Sequence, residues 1–426
     1  MKEPAGGALA RLLWSLLRVQ RPSVPLGAGE GDLDLLGASP PLRHLAAALE
    51  GGEGLAVADL LRRRLDFVAA PDPTDWLRQV CRDNPAPAPD AVPLRMLTWN
   101  LALLDVHVRG RPYKASPFEK QRREGVFDRV LGAGADIVLL QELWHGPQIE
   151  RLAARAPAAG YRLCCPPRRH VDGLAVLLRQ DLFQGEPEVL VRSFSVQDRL
   201  EALELPHKEQ FLRSWMRVRL DHAVLGRLAV FDSHMQAYPR AWRNRLQQSR
   251  SLGLVVAREP PGTLVLVGGD LNAGAFYGRQ SWRKPDGGVD STWWHDALSL
   301  PVLHHYGGLC DLAIRGRLLE DADLEVRMGR SLVNDPRATE PWDCGPDHLR
   351  AYTATDCNRL YHLQYGGTEQ PARIDHLLAR DPEGRIHVAG SRHRFTARDL
   401  DVGGERVEAS DHYAVEVDLR IAPPRG

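Results

Sequence analysis

Val265-Leu-Val-Gly-Gly-Asp-Leu-Asn272 is the stretch on which the reading of this 426-residue chain turns. A short apolar run beside glycines reads as a buried strand. It ends on a carboxylate and an amide, Asp270 and Asn272. The pattern recurs to either side. Asn100 ends Leu97-Thr-Trp-Asn100, Glu142 ends Ile137-Val-Leu-Leu-Gln-Glu142, and His234 ends Val230-Phe-Asp-Ser-His234. Asp375 lies in Arg373-Ile-Asp-His376, and Asp411 and His412 precede the final apolar run in Ala409-Ser-Asp-His412. Singly these are weak signals, since Asp-x-Asn after a strand is ordinary turn chemistry. Repeated at the ends of successive buried strands, they point to one edge of a sheet and to one cleft.

Outward from these runs the texture is that of an α/β domain, short apolar strands alternating with helical segments. Strands are expected at 94–103, 137–140, 173–178, 215–220, 228–231, 264–267, 374–378 and 413–419. Helices are expected at 118–131 and 242–257. Residues 1–84 read as a helical N-terminal extension. Pro85-Ala-Pro-Ala-Pro-Asp-Ala-Val-Pro93 reads as a semi-rigid linker. The catalytic unit is expected over 94–420, with a long insertion at 274–370 rich in His, Trp, Gly and Asp. Long loops of that kind inside a compact domain are usually functional. No internal repeat is visible.

Composition narrows the function classes. Apolar residues make up 43% and charged residues 26%, ordinary values for a globular protein. Basic and acidic residues balance at 55 each, which weakens the case for broad nucleic-acid binding without excluding a local basic groove. Five residues are Lys, so nearly all the positive charge is Arg. No spacing among the six cysteines resembles a zinc site, and a chain of this length needs no disulfide staples. Cys344 and Cys357 share one loop-like region and could pair in an exported protein. No stretch is apolar enough for a transmembrane helix. Near the N-terminus, Leu9, Leu12, Leu13, Trp14, Leu16 and Leu17 form an apolar face opposite Arg11, Ser15 and Arg18. The charges sit inside the run rather than before it, unlike a signal peptide. A helix docked on its own domain is favoured over a membrane-surface helix. The expected location is cytoplasmic or peripheral to a membrane, with export left open. No protein partner is inferred.

The strand-end set supplies hard oxygen ligands (Glu142, Asp411 and Asn100), groups that can hold phosphate oxygens (Asn272 and His234), and a His–Asp pair (His412 and Asp375). Carboxylate oxygens of this kind suit magnesium, which takes one or two carboxylates plus water and substrate phosphate. In order and in local sequence, the motifs Trp-Asn100, Gln-Glu142, Ser-His234, Gly-Asp270-Leu-Asn272, Arg-Ile-Asp375 and Ser-Asp411-His412 resemble the endonuclease/exonuclease/phosphatase superfamily over about residues 94–420. The resemblance implies a four-layer sandwich of two packed mixed sheets flanked by helices. It also implies a metal-dependent phosphoric ester hydrolase using Mg2+, with Mn2+ able to substitute. In that reading Glu142, Asn100 and Asp411 hold the metal, and His412 is the base oriented by Asp375. Asp270 orients the nucleophile or carries a proton, and His234 and Asn272 bind the phosphoryl oxygens.

Within the superfamily, Asp232-Ser-His-Met-Gln-Ala237 is similar to the neutral sphingomyelinase branch. So are Arg245 and Gln248 on the following helix and the approach from Asn358-Arg-Leu-Tyr361 to Asp375. The departure is Lys208 followed by Glu209, where that branch commonly has Lys-Gly. The implied substrate is a phospholipid head group, with some peripheral membrane contact. A nuclease is the alternative, and it would need a basic, aromatic-lined groove. An inositol-phosphate phosphatase comes third. A catalytically dead scaffold is disfavoured, because every ligand and base is present. Trp293 and Trp294 are candidates for contact with a bilayer interface, against the plainer reading of core packing. His304 and His305 show no third ligand nearby in sequence and are read as structural. Arg168, Arg169 and His170 read as a solvated loop.

Overall fold

The computed structural model describes residues 81, 83–108, 111–166, 173–194, 213–237, 242–274, 282–283, 289–290, 299–316, 352–355, 357–366 and 372–424. The expected extension through residue 80, Arg168 to His170, Lys208, Glu209, Trp293, Trp294 and Cys344 lie outside the described residues.

Strand β1 (Val92–Asn100) opens inside the segment expected to be linker, and β2 (Asp105–Val108) and β3 (Arg111–Ala115) form a hairpin. Helix α1 (Glu119–Leu131) leads to β4 (Ile137–Gln141), and α2 (Gly146–Arg155) to β5 (Tyr161–Cys164) and β6 (Ala175–Arg179). Next come β7 (Phe183–Ser193), β8 (Ser214–His222), β9 (Gly226–His234), α3 (Trp242–Ala257) and β10 (Leu264–Asp270). The expected insertion carries β11 (Trp282–Arg283), β12 (Val289–Asp290), α4 (Ser299–Gly307), β13 (Leu309–Asp311), α5 (Leu312–Arg315) and α6 (Arg359–Tyr365). The chain closes with β14 (Asp375–Arg380), β15 (Ile386–Arg394), β16 (Leu400–Val402), β17 (Glu405–Val407) and β18 (Ala414–Ile421).

Twelve of these strands form two six-stranded sheets, ordered β15-β18-β1-β4-β6-β5 and β13-β14-β10-β9-β8-β7. Both are mixed: β1 pairs with β4, and β9 with β10, in parallel, while β18 and β14 run antiparallel to β1 and β10. Successive side chains on a strand face opposite ways, and both faces of the first sheet are used. Leu94, Met96, Ile137, Leu139, Val176 and Leu178 meet Val218, Val230, Leu266 and Leu377 of the second sheet. Leu97, Trp99, Val138 and Leu140 turn outward onto Phe127 and Val130 of α1 and Leu152 of α2. Each fully buried Leu or Val contributes about 1.5–3 kcal/mol relative to exposure, so the double-sided burial accounts for the near-continuous apolar character of β4. Helix α3 is tied to the segment after β9 at its middle and to β14 at its C-terminal end. Gln236 N donates to Gln248 Oε1 at 2.9 Å, and Arg380 Nη1 donates to Val256 O at 3.2 Å.

The part of the insertion nearest the sheet is held by a buried ionic group. Asp311 accepts from Arg373 Nη2 at 2.7 Å, faces His376 Nδ1 at 2.9 Å, and caps α5 through the amides of Ala313 and Ile314. Ahead of β1, Asn84 docks on edge strand β15, giving Nδ2 to Val388 O at 3.0 Å and accepting Val388 N at 2.8 Å. Cys357 is disulfide-bonded, while Cys81, Cys164, Cys165 and Cys310 are not in disulfides. No helix among the described residues is long and apolar enough to cross a membrane.

Two glycines permit close approaches, one between the sheets and one between neighbouring strands of the second sheet. A Cβ on Gly268 would lie 2.6 Å from Leu139 Cδ1 of the facing sheet. Gly269 has φ +137°, and a Cβ there would fall 1.9 Å from Ser233 O on the parallel neighbour β9. Backbone, unlike a side-chain tip, has nowhere to move. Gly269→Ala is therefore expected to cost at least about 3 kcal/mol from overpacking and backbone strain. A urea unfolding midpoint equal to wild type would contradict this account.

Candidate active site

The ends of β1, β4, β9 and β10 and the beginnings of β14 and β18 lie at one edge of the sandwich, because the last two strands run antiparallel to their neighbours. That topology brings the strand-end residues of the sequence together. Asn100, Glu142, His234, Asp270, Asn272, Asp411 and His412 line one cleft of about 40 Å³. Asp375 lies directly behind, fully buried.

Two of the hydrogen bonds that cross from sheet to sheet meet at this cleft. Asn100 Nδ2 donates to Asp270 Oδ2 at 2.9 Å, and His412 Nδ1 meets Asp375 Oδ2 at 2.8 Å. Asn100 Oδ1 accepts Ala102 N at 3.0 Å, so as placed its amide orients Asp270 and retains one oxygen lone pair for a cation. The loop carrying His412 is fixed by Ser410, whose hydroxyl donates to Asn100 O at 2.6 Å and accepts His412 N at 3.1 Å. Trp99 Nε1 donates to His412 O at 2.9 Å. Asp270 Oδ1 accepts Asn272 N at 2.9 Å, and Asn272 Nδ2 donates to Met235 O at 3.1 Å. Glu142 and Asn272 both adopt left-handed backbone, with φ of +59° and +50°. Non-glycine residues rarely do so, and such conformations concentrate at functional sites.

The charges are as constrained as the positions. Burial and the adjacent Asp375 carboxylate push Asp270 up to about 7, against His412 and Asn100. Burial alone would depress His412, but Asp375, Asp270 and Asp411 outweigh it and hold the imidazole well above its usual range. Its Nε2 stands 3.9 Å from Asp270 Oδ2 and 4.0 Å from Asp411 Oδ1. His234 goes the other way: burial, then the Arg213 guanidinium, then His412 hold it well below its usual range. Arg213 Nη1 lies 2.9 Å from His234 Nδ1. Arginine can only donate, so Nδ1 accepts and the proton of neutral His234 sits on Nε2. That nitrogen faces Asp270 Oδ2 at 3.4 Å. Of two buried imidazoles flanking one carboxylate, one is shifted toward the neutral form and the other toward the protonated form.

The donor set fits a hard divalent cation. Asn100, Glu142, Asp270 and Asp411 present oxygen to the same cleft. Ligand atoms of Asp270, Asp375 and His412 also lie within 4.8 Å of one another. A cation drawn among those three would compete with the Asp375–His412 bond, so the oxygen-lined side is the better seat. Sequence reasoning missed Arg213, Trp144, Gln364 and Tyr365, which line the cleft as well. Arg213 carried no motif signal, being a single basic residue ahead of an apolar strand. Gln364 and Tyr365 close α6, whose start at Asn358 the sequence had marked.

The chain matches the model of the family described as the Endonuclease/Exonuclease/phosphatase family over residues 97–412. No curated protein matches it in sequence. Solved structures of similar fold include D. rerio TDP2 complexed with a single-strand DNA product, at 16% identity, covering 77% of this chain and 98% of that one, TM-score 0.49. A mannosyl-6-phosphatase of Bacteroides thetaiotaomicron is similar at 16% identity, 76% and 99% coverage, TM-score 0.46. Beta toxin from Staphylococcus aureus is similar at 12% identity, 76% and 99% coverage, TM-score 0.48.

The Arg213–His234 contact yields a specific expectation. In Arg213→Met, His234 loses both the donor that fixes its tautomer and the neighbouring charge that depresses it. Its titration should move upward and its Nε2–H tautomer should cease to dominate, both readable from imidazole 15N shifts. Turnover should fall by on the order of 10–100-fold, as when a partner orienting a site histidine is removed. An unchanged tautomer would show that Arg213 does not set it.

Proposed function

The chain belongs to the endonuclease/exonuclease/phosphatase family, whose members are metal-dependent phosphoric ester hydrolases, and from that premise we propose that it is a magnesium-dependent phosphodiester hydrolase, a sphingomyelinase-like phospholipase C acting on a phospholipid head group. The observation that carries the hydrolytic reading is the 2.8 Å His412–Asp375 pair at the floor of an oxygen-lined cleft.

In this mechanism Glu142, with Asn100 and Asp411, would hold Mg2+ or Mn2+. The cation would neutralise charge on the phosphoryl oxygens and offset the carboxylates that keep His412 protonated. His412 Nε2 takes a proton from the attacking water while Asp375 holds Nδ1–H and the ring orientation. General-base assistance of this kind is worth roughly 10²–10⁴-fold. The Nε2–H of His234 and the side chain of Asn272 donate to phosphoryl oxygens as charge builds on them. Asp270 orients the water. Its second role is to pass a proton to the departing alcohol oxygen.

For the substrate, support comes from the Asp232–Ala237 segment, from the Asn358-to-Asp375 approach, and from the balanced charge, since an enzyme gripping bare nucleic-acid backbone relies on concentrated Lys or Arg. Trp144 and Tyr365 add to it, because both line the cleft. Aromatic faces attract a quaternary ammonium by about 0.5–2 kcal/mol, which suits a choline head group. Lys208-Glu209 remains the departure from the sphingomyelinase pattern. Trp293 and Trp294 would provide the apolar contact with the lipid surface.

Glu142→Gln and EDTA should each abolish turnover, with weakened Mg2+ binding in the variant. His412→Ala should lose roughly 10²–10⁴-fold with the fold retained. Magnesium titration of Glu142→Gln matching wild type would remove Glu142 as principal ligand. Substrate class is tested with sphingomyelin and phosphatidylcholine vesicles, abasic and plain DNA, and inositol phosphates, each with magnesium. Release of phosphocholine from sphingomyelin first is expected, and replacing both Trp293 and Trp294 with Ala should reduce vesicle hydrolysis far more than hydrolysis of a soluble analogue. Efficient cleavage of abasic DNA without phosphocholine release would overturn the lipid assignment and leave the hydrolytic chemistry in place.

A further inference from the structure

A second cluster of ligating side chains lies away from the cleft. Cys81, in the segment ahead of β1, is fully buried, and Cys310 in β13 is nearly so. His304, in the last turn of α4, completes the group. One ligand atom from each lies within 4.8 Å of the other two. The nearest measured edge is Cys310 Sγ to His304 Nδ1, at 3.6 Å. A tetrahedral zinc with Zn–S near 2.3 Å and Zn–N near 2.0–2.1 Å has an S···N edge of about 3.6 Å. That edge therefore matches a tetrahedral zinc, and the other two lie within 4.8 Å.

We propose that Cys81, His304 and Cys310 form a second metal site, of Cys2His type and selective for zinc, which clips the chain ahead of β1 to the edge of the second sheet. Two thiolates and an imidazole select borderline-soft metals over magnesium, so the two sites would sort their ions by ligand chemistry. Cys81 and His304 both hydrogen-bond the Cys310 sulfur, so the three side chains already converge on one point. His304 Nδ1 also faces Leu309 O at 3.1 Å, so in the metal-free chain that carbonyl accepts its proton, which zinc would displace. A cavity of about 630 Å³ adjoins the group, lined by His304, Cys310, Asp83, Arg315 and Arg380 among others, and gives access for a fourth ligand. Water or the Asp83 carboxylate would supply that ligand. Two thiolates leave a zinc centre without positive charge, and Arg315 and Arg380 on the cavity wall are compatible with that balance. The sequence hid this site because its ligands come from three separate segments and none follows a zinc-finger spacing. It would give His304 the further ligands that the sequence around it does not show.

The test uses the full-length chain, reduced, stripped of metal and titrated with Co2+. Thiolate ligation gives near-ultraviolet sulfur-to-cobalt charge-transfer absorption, which the oxygen-lined catalytic cleft cannot produce. One equivalent of Co2+ should generate the band, and Zn2+ should abolish it. The band should persist in Glu142→Gln and in Cys164→Ser. It should be lost in Cys310→Ser and in His304→Gln, the second variant guarding against a misfolded first, with circular dichroism confirming the fold of each. Zn2+ should raise the melting temperature of wild type and not of these two variants. No charge-transfer band in wild type, a band surviving in both ligand variants, or a Cys81–Cys310 disulfide found by peptide mapping of the native protein would overturn the proposal.

Discussion

Three side-chain hydrogen bonds span the gap between the sheets: Asn100 to Asp270 at 2.9 Å, Gln141 to Asp232 at 2.7 Å, and His412 to Asp375 at 2.8 Å. All their residues are nearly or wholly buried. An unpaired polar group there costs several times what a satisfied hydrogen bond returns. The sheets therefore cannot slide past one another by a residue without stranding amides and carboxylates in an apolar interior. The Leu and Val layer sets how close the sheets come, with Gly268 permitting the tightest contact. The polar pairs set their offset, and with it the cleft geometry. Fold specificity and site geometry rest on the same bonds.

Glu142 and Asn272 hold left-handed backbone at the mouths of two parallel-paired strands. Turning abruptly there aims each side chain across the edge rather than along it. Each such conformation costs on the order of 1–3 kcal/mol and persists only where the surroundings over-determine it. Those surroundings are visible. Leu143 N donates to Gly173 O at 3.0 Å beyond Glu142, and the Asn272 loop is bracketed by Leu271 N to Ile374 O at 2.9 Å. His376 Nε2 adds a contact of 2.7 Å to Ala273 O, from a histidine that also faces buried Asp311. The insertion thus supports the Asn272 loop through Asp311 and His376.

The legible part of the fold divides cleanly by position in the sheets. The strands read from sequence correspond to β1, β4, β6, β8, β9, β10, β14 and β18, which are the interior strands of both sheets. The edge strands β5, β7, β13 and β15 were not read. An interior strand is apolar and stands out. An edge strand such as β7 is half exposed along its length and carries Glu186, Pro187, Glu188 and Arg192, which mask any alternation. The first strand was expected to reach Leu103 and stops at Asn100, because the Asn100 side chain bonds Ala102 N and turns the chain. Helix α3 coincides with its expected span, and α1 begins one residue later than expected. Motif residues of the cleft were legible because they end interior strands. Arg213 and Tyr365 were not, because their position depends on tertiary packing alone.

Strand β1 lies between β4, the next of that sheet to be made, and β18, the last. Val92 to Thr98 find their antiparallel partners among residues 415–421. On the ribosome, then, one side of β1 is an unpaired apolar edge from its emergence until almost the entire chain has been synthesised. Such edges template association with other chains, so the nascent protein is at its most vulnerable while the second sheet is being made. His412 arrives with the same closing segment, so no partly made chain carries the His412–Asp375 pair.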